Sequence, residues 1–289
     1  MTSLEIRNLT YIYGEGTPFC HTALDDLTLR ITPGAITGLI GHTGSGKSTL
    51  VQLLNGLLRP NAGQVLLNGN DIWANPKNIR DVRFQVGLVF QYPEYQLFEE
   101  TVARDIAYGP TNMGLPADEI DRRVHDALRF CGLSEDLLQK SPFELSGGQK
   151  RRVAIAGIIA MEPEVLILDE PAAGLDPLGR EEILGGIWSY QRQRQSTVIL
   201  VSHSMEDIAR YADEIVVLHQ AKLMLQGSTQ EVFRHADQLS ACGLDIPQIT
   251  HLMKYLKSRG LPVRDDIFTV ADARDSLLSL LSSKGGKSK

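Results

Sequence analysis

The sequence predicts an α/β fold organised around a mainly parallel sheet. Short apolar runs at 35–40, 86–90, 165–168 and 197–201 read as strands buried on both faces. Stretches of helical spacing alternate with them. The first run opens directly into a glycine-rich loop and then a helical pattern.

Taken in order, residues 4–13 and 24–31 alternate apolar with polar, as half-buried strands do, and the turn-rich GEGTPFCHT separates them. The run at 35–40 leads into GHTGSGKST and the helical pattern Leu50, Val51, Leu53, Leu54, Leu57. A strand at 63–68 is ended by Asn68-Gly69. The character then changes: DEIDRRVHDALRFCGL places apolar residues at helical spacing, so about 96–158 is expected to be a helical insertion. Strands return at 165–168 and 197–201, and 215–225 reads as a hairpin. Beyond 228 come amphipathic patterns at about 229–241, 247–258 and 271–282. The expected organisation is a main domain over 1–227, a helical extension over 228–282 and a disordered tail over 283–289.

Composition narrows the function. The chain has 289 residues, 43% of them hydrophobic, and a net charge of −6 without a long basic tract, which sets nucleic acid aside as the main partner. Cys20, Cys131 and Cys242 lie far apart, outside metal-ligand spacing, and read as free thiols in a reducing compartment. Glu5 and Arg7 interrupt the first apolar run, so no signal peptide is expected there. No stretch reaches transmembrane length, so a role at a membrane has to run through a partner.

Three motifs carry chemistry. Gly41-His42-Thr43-Gly44-Ser45-Gly46-Lys47-Ser48 fits G-x-x-x-x-G-K-[ST] between a strand and a helix, with Thr49 next. Its glycines let successive backbone N–H groups converge on one anion, Lys47 adds a point charge, and Ser48 offers a hydroxyl to Mg²⁺. The run Val165-Leu-Ile-Leu-Asp169-Glu170 ends a buried strand in two acids. Asp169 is suited to hold Mg²⁺, and Glu170 to polarise an attacking water, assistance worth about 10²–10⁴-fold. Ser202-His203 ends the run 197–201 in the same way, which favours a γ-phosphate contact for His203. Finally, Leu145-Ser146-Gly147-Gly148-Gln149 starts a further helix and makes a second anion site of backbone N–H groups.

Together these motifs resemble the ATP-binding subunit of ATP-binding cassette (ABC) transporters, over residues 4–227. The resemblance implies a P-loop NTPase cassette with an antiparallel β subdomain and a helical subdomain, binding ATP and Mg²⁺. It implies two cassettes packed head to tail, so that Ser146, Gly147, Gly148 and Gln149 meet the partner's nucleotide. Tyr13 is similar to the aromatic that stacks on adenine, with Tyr11 as competitor. Gln91 resembles the glutamine that senses Mg²⁺ and the attacking water, His203 the switch histidine, and Asp176 part of the loop that crosses to the partner. Ser204 departs from the family's frequent Asp, and the hairpin at 219–222 lacks its frequent glycine.

The same resemblance accounts for QYPEYQLFEETV, an odd mixture after a buried strand. In the family this segment forms a groove for a helix of the membrane subunit. Tyr92, Tyr95, Leu97 and Phe98 are expected to form its floor, and Glu94, Glu99 and Glu100 to meet basic residues of the docking helix. The wording resembles the second ATPase of energy-coupling factor importers, which take up vitamins and metal ions. That implies a peripheral protein at the cytoplasmic face of the membrane. Its partners are then a paralogous ATPase or a second copy, a transmembrane coupling subunit and a substrate-binding membrane subunit. A soluble ABC ATPase uncoupled from transport is the alternative.

Overall fold

The computed structural model describes residues 2–285, with side chains through 282. Two sheets share the core. The first is antiparallel, ordered β2-β1-β4-β5, from β1 (Leu4–Tyr13), β2 (His21–Ile31), β4 (Ala62–Leu67) and the short β5 (Asn70–Asp71). The second comprises β3 (Ile36–Ile40), β6 (Val86–Val89), β7 (Val165–Asp169), β8 (Thr197–Val201), β9 (Glu214–His219) and β10 (Lys222–Ser228), ordered β10-β9-β3-β8-β7-β6. Only β10 runs antiparallel within it. Every residue of β3, β6, β7 and β8 is buried, as central strands covered on both faces must be.

Strand order fixes the geography of the site. Leu39 pairs with Val201, Val201 with Asp169, and Val89 with Leu168, so four neighbouring strands finish at one edge. The loops that follow therefore lie side by side: 41–46 after β3, 202–203 after β8, 169–170 after β7 and Gln91 after β6. Open α/β sheets bind ligands at this carboxyl edge.

One face of the second sheet packs, through Leu39, Val165, Ile167 and Ile199, against α1 (Lys47–Leu54) and the antiparallel sheet. The other face packs against the helical insertion and α6 (Pro177–Arg194). The insertion holds α3 (Val102–Asn112), α4 (Ala117–Phe130) and α5 (Gly147–Ile159). A short α2 (Ile79–Gln85) precedes β6, and α7 (Met205–Tyr211) follows β8. Ser204 starts α7, its hydroxyl accepting the Asp207 N–H, so it caps the helix as an Asp in its place could.

Several expectations are refined. The stretch 229–241 is two helices, α8 (Thr229–Arg234) and α9 (Ala236–Ala241), broken at His235. Then come α10 (Gln248–Ser258) and α11 (Val270–Gly285). Because α11 reaches Gly285, the first residues of the expected tail are helical; 286–289 lie outside the described residues. Helix α6 carries little helical signal in the sequence because Gly185-Gly186 interrupts it. The structure explains one of that pair: a Cβ on Gly186 would lie 2.5 Å from the Phe130 carbonyl oxygen, whereas one on Gly185 meets nothing within 4 Å. Gly186 lets the end of α4 sit against α6.

This contrast is testable by thermal unfolding. Gly185→Ala is expected to raise Tm, since it removes a helix-interior glycine costing about 1 kcal/mol. Gly186→Ala is expected to lower it, by the about 1–3 kcal/mol typical of overpacking.

Candidate functional site: a phosphate cleft at the sheet edge

A cleft of 370 Å³ opens at the carboxyl edge of the second sheet, lined by Tyr13, Thr43, Gly44, Gly46, Lys47, Ser48, Thr49, Gln91, Asp169, Glu170 and His203, together with His21 and Ala23. The chain thus gathers residues separated by up to 190 positions. Gly46 leads into α1 at φ 103°, and a Cβ there would lie 2.4 Å from the Ala23 carbonyl oxygen, so the loop tolerates only glycine at this point. Gly41, His42 and Ser45 belong to the same loop but do not line the cleft; His42 and Ser45 face a neighbouring hollow with Cys242 and Gly243.

Lys47 is buried, its Nζ donating to the carbonyls of Gly41 at 2.6 Å and His42 at 3.1 Å. Burial pulls its pKa down, and the nearby Glu170 and Asp169 push it back up. Ser48 Oγ donates to Asp169 Oδ2 at 3.2 Å. Burial raises the Asp169 carboxyl, against the Ser48 hydrogen bond and the Lys47 charge. Glu170 is the most perturbed acid here. Burial, then the charge of Asp169, lifts it to about 7. Its backbone is left-handed, φ 52°, and its Oε1 is buried without a hydrogen bond, 3.3 Å from His203 Nε2. The pKa of His203 is lowered, by burial first and then by Lys47. Glu170 is thus placed as a base poised near neutrality, beside a histidine held toward its neutral form.

Tyr13, not Tyr11, lines the cleft. Tyr13 is half exposed and its hydroxyl lies 3.3 Å from Thr49 Oγ1, whereas Tyr11 packs against the core. The rings meet edge to face at 4.8 Å, so Tyr11 braces Tyr13. His21 was not legible as a site residue; it enters only because the β1–β2 register sets it opposite Tyr13.

The signature residues stand apart from this cleft. Ser146 caps α5, its Oγ accepting the Gln149 N–H while Gln149 Oε1 accepts the Ser146 N–H. Ser146 and Gly147 are exposed, and a Cβ on Gly147 would meet nothing within 4 Å. None of 146–149 lines the cleft of its own chain. Asp176 is also absent from it and caps α6 through the Gly179 N–H at 2.8 Å.

Near the segment expected to form a docking groove lies an apolar cleft, most of whose lining differs from that expectation. A second cleft of 370 Å³ holds Leu97 and Phe98, but its other walls are Phe84, Asp105, Tyr108, Ala154, Ile158 and Met161. Phe98 meets Tyr108 edge to face at 4.9 Å, and Asp105 accepts the Glu99 N–H at 3.1 Å. Tyr92, Glu94, Tyr95 and Glu99 do not line it. The 3₁₀ turn Pro93–Gln96 points Glu94 inward to a bidentate pair with Arg151, at 2.6 and 2.9 Å, and Glu100 pairs with Arg104. Glu94 is therefore not free to receive a docking helix. A larger cleft of 760 Å³ between α4 and α6 holds none of the motif residues, and its Arg129, Arg152 and Arg194 are already paired with carboxylates.

Residues 24–173 match the model of the ABC transporter family. The chain is 53% identical, over 96% of its length and 97% of the relative's, to the energy-coupling factor transporter ATP-binding protein EcfA2 of Caldanaerobacter subterraneus subsp. tengcongensis. The chain belongs to the ABC transporter family, among the ATP-binding proteins of energy-coupling factor transporters. Among solved structures it resembles cbiO1 of Clostridium perfringens, part of the ABC transporter complex cbiONQ, with 41% identity and a TM-score of 0.74 over 87% of this chain and 98% of that one. A dimeric bacterial ABC transporter cassette matches at 25% identity and a TM-score of 0.71, over 78% and 98%. The chain is accordingly an ATPase, and among the described residues no helix is long and apolar enough to cross a membrane.

The perturbed acid gives a pH test. A carboxyl raised from 4.5 to about 7 in the folded chain costs no stability while protonated, below pH 4.5. The cost grows as pH rises and is complete above 7, reaching about 3 kcal/mol. In thermal scans without added nucleotide, Glu170→Gln should therefore raise Tm by more at pH 8 than at pH 5.

Proposed function

We propose that this chain drives solute uptake as the ATP-hydrolysing subunit of an energy-coupling factor importer, working as one of two cassettes that close head to tail over ATP. The observation that carries the reading is the separation of two anion sites. The phosphate loop and the Asp169–Glu170 pair converge in one cleft, while the exposed N-terminus of α5 does not line it. A second cassette brings its own Ser146, Gly147 and Gly148 to the open side of the cleft. The dimeric cassette among the similar structures supports this pairing. The second cassette is a paralogue or another copy of this chain.

Within the cleft, backbone N–H groups of 43–48 and Lys47 bind the phosphates, and Tyr13 takes the base. Ser48, Asp169 and Gln91 form an all-oxygen donor set that fits Mg²⁺, and Glu170 Oε1, which has no hydrogen bond, suits a water next to it. The metal, when bound, offsets phosphate charge. Glu170 accepts the proton of the attacking water, and His203 positions the γ-phosphate end of the cleft. Two outcomes test this part. Glu170→Gln should bind ATP within about threefold of the parent, yet lose at least about 10²-fold in turnover. It should also run as a dimer on size exclusion with ATP; a monomer would count against the head-to-tail closure.

The apolar cleft around Phe98 and Tyr108 takes a helix of the membrane coupling subunit, as helix-in-groove recognition requires. The chain then sits peripherally on the cytoplasmic face, and a separate membrane protein selects the vitamin or transition-metal ion carried. Phe98→Asp should abolish co-purification with the membrane subunits from detergent extracts while the purified chain still binds ATP. Retained co-purification would place the dock elsewhere.

A further inference from the structure

Arg151 is a buried cation with no part in either cleft. It stands one turn into α5, the helix that begins at Ser146. Its Nε and Nη2 donate to the two carboxylate oxygens of Glu94, at 2.9 and 2.6 Å. Its Nη1 donates to the carbonyl of Ala173. Its guanidinium lies 5.6 Å from the centre of the Tyr92 ring. One side chain therefore holds three segments: the turn after Gln91, the start of the signature helix, and the loop that follows Glu170.

The third contact reaches the chemistry by a short path. The Ala173 N–H donates to the Glu170 carbonyl at 3.2 Å, and Leu175 N–H to Ala172 at 3.4 Å. This tight turn starts at Glu170, whose backbone is left-handed, and Asp176 beyond it caps α6. Leu97, next along from the 3₁₀ turn, lines the apolar cleft.

We infer that Arg151 is a positioning residue, the strut by which the 92–97 turn beside the apolar cleft sets the 170–175 loop that carries the catalytic base. Only a guanidinium suits the position. Its planar fork engages a carboxylate side-on with two donors and still presents a third to a carbonyl, which a lysine ammonium on a flexible stem cannot do in one geometry. The strut rests on the docking reading only for its purpose, not for its existence. A helix seated against Leu97 and Phe98 would act on the Glu94 turn, and Arg151 would pass that displacement to the Glu170 loop.

Hydrogen exchange on the isolated full-length chain tests the strut without any docking partner. Among the hydrogen bonds and ion pairs of the described residues, Glu94 is joined to the 170–175 loop through Arg151. Glu94→Gln is therefore expected to speed exchange at Ala173 and Leu175 by about tenfold, as well as at its own turn. Arg151→Lys is expected to keep the 92–97 turn protected and loosen Ala173 and Leu175 alone. In the detergent-purified transporter, both variants should lower kcat about tenfold with KM for ATP unchanged, since the nucleotide contacts stay in place. Parent-like exchange at Ala173 and Leu175 in both variants would overturn the inference, as would a rise in KM without loss of kcat. A failed dock, by contrast, appears only as Phe98→Asp still co-purifying.

Discussion

Two carboxylates cannot be buried side by side at the end of a strand without a cation or a proton to meet them. Asp169 and Glu170 stand in that position, and much of the site answers to it. Lys47 is buried nearby and its own pKa is pulled in both directions by burial and by these acids. The Ser48 hydroxyl donates to Asp169, while Glu170 resolves the conflict by shifting its titration to about 7. The constraint costs stability and yields chemistry: an acid unable to ionise cheaply in the folded chain is a base matched to neutral pH.

A second constraint is geometric. The α5 N-terminus, with an exposed glycine and a serine cap, does not line the cleft of its own chain. Parallel strands deliver four loops to one edge, and the helical insertion emerges on the other side of the sheet. On the proposed reading the two sites meet only when a second cassette approaches, and hydrolysis is then conditional on that approach.

Arg151 shows how such a molecule can connect distant events without a long conduit. Its neighbours belong to an apolar-cleft turn, a signature helix and a catalytic loop, and all are within hydrogen-bonding or stacking reach of one guanidinium. A rigid, buried, bidentate pair responds to displacement as a unit, where exposed ion pairs such as Glu100–Arg104 would yield to solvent. Burial pushes the Glu94 carboxyl up, but the Arg151 hydrogen bonds and charge, with a backbone hydrogen bond, more than reverse it, so Glu94 stays ionised.

Much of this was legible in the sequence. The order of apolar runs predicted the parallel sheet, and the phosphate loop, Asp169, Glu170, His203 and the signature all lie at contiguous positions whose chemistry is local. Such features depend on a few neighbouring residues, so spacing alone reveals them. Tertiary structure decided the rest. It set Tyr13 rather than Tyr11 in the phosphate cleft, turned Glu94 onto Arg151, and lined the apolar cleft with Phe84, Tyr108, Ile158 and Met161. It also explained Gly186, whose need is set by a carbonyl 56 positions away. Each of these outcomes depends on which way a side chain points once separate elements pack, and a linear pattern carries no record of that direction.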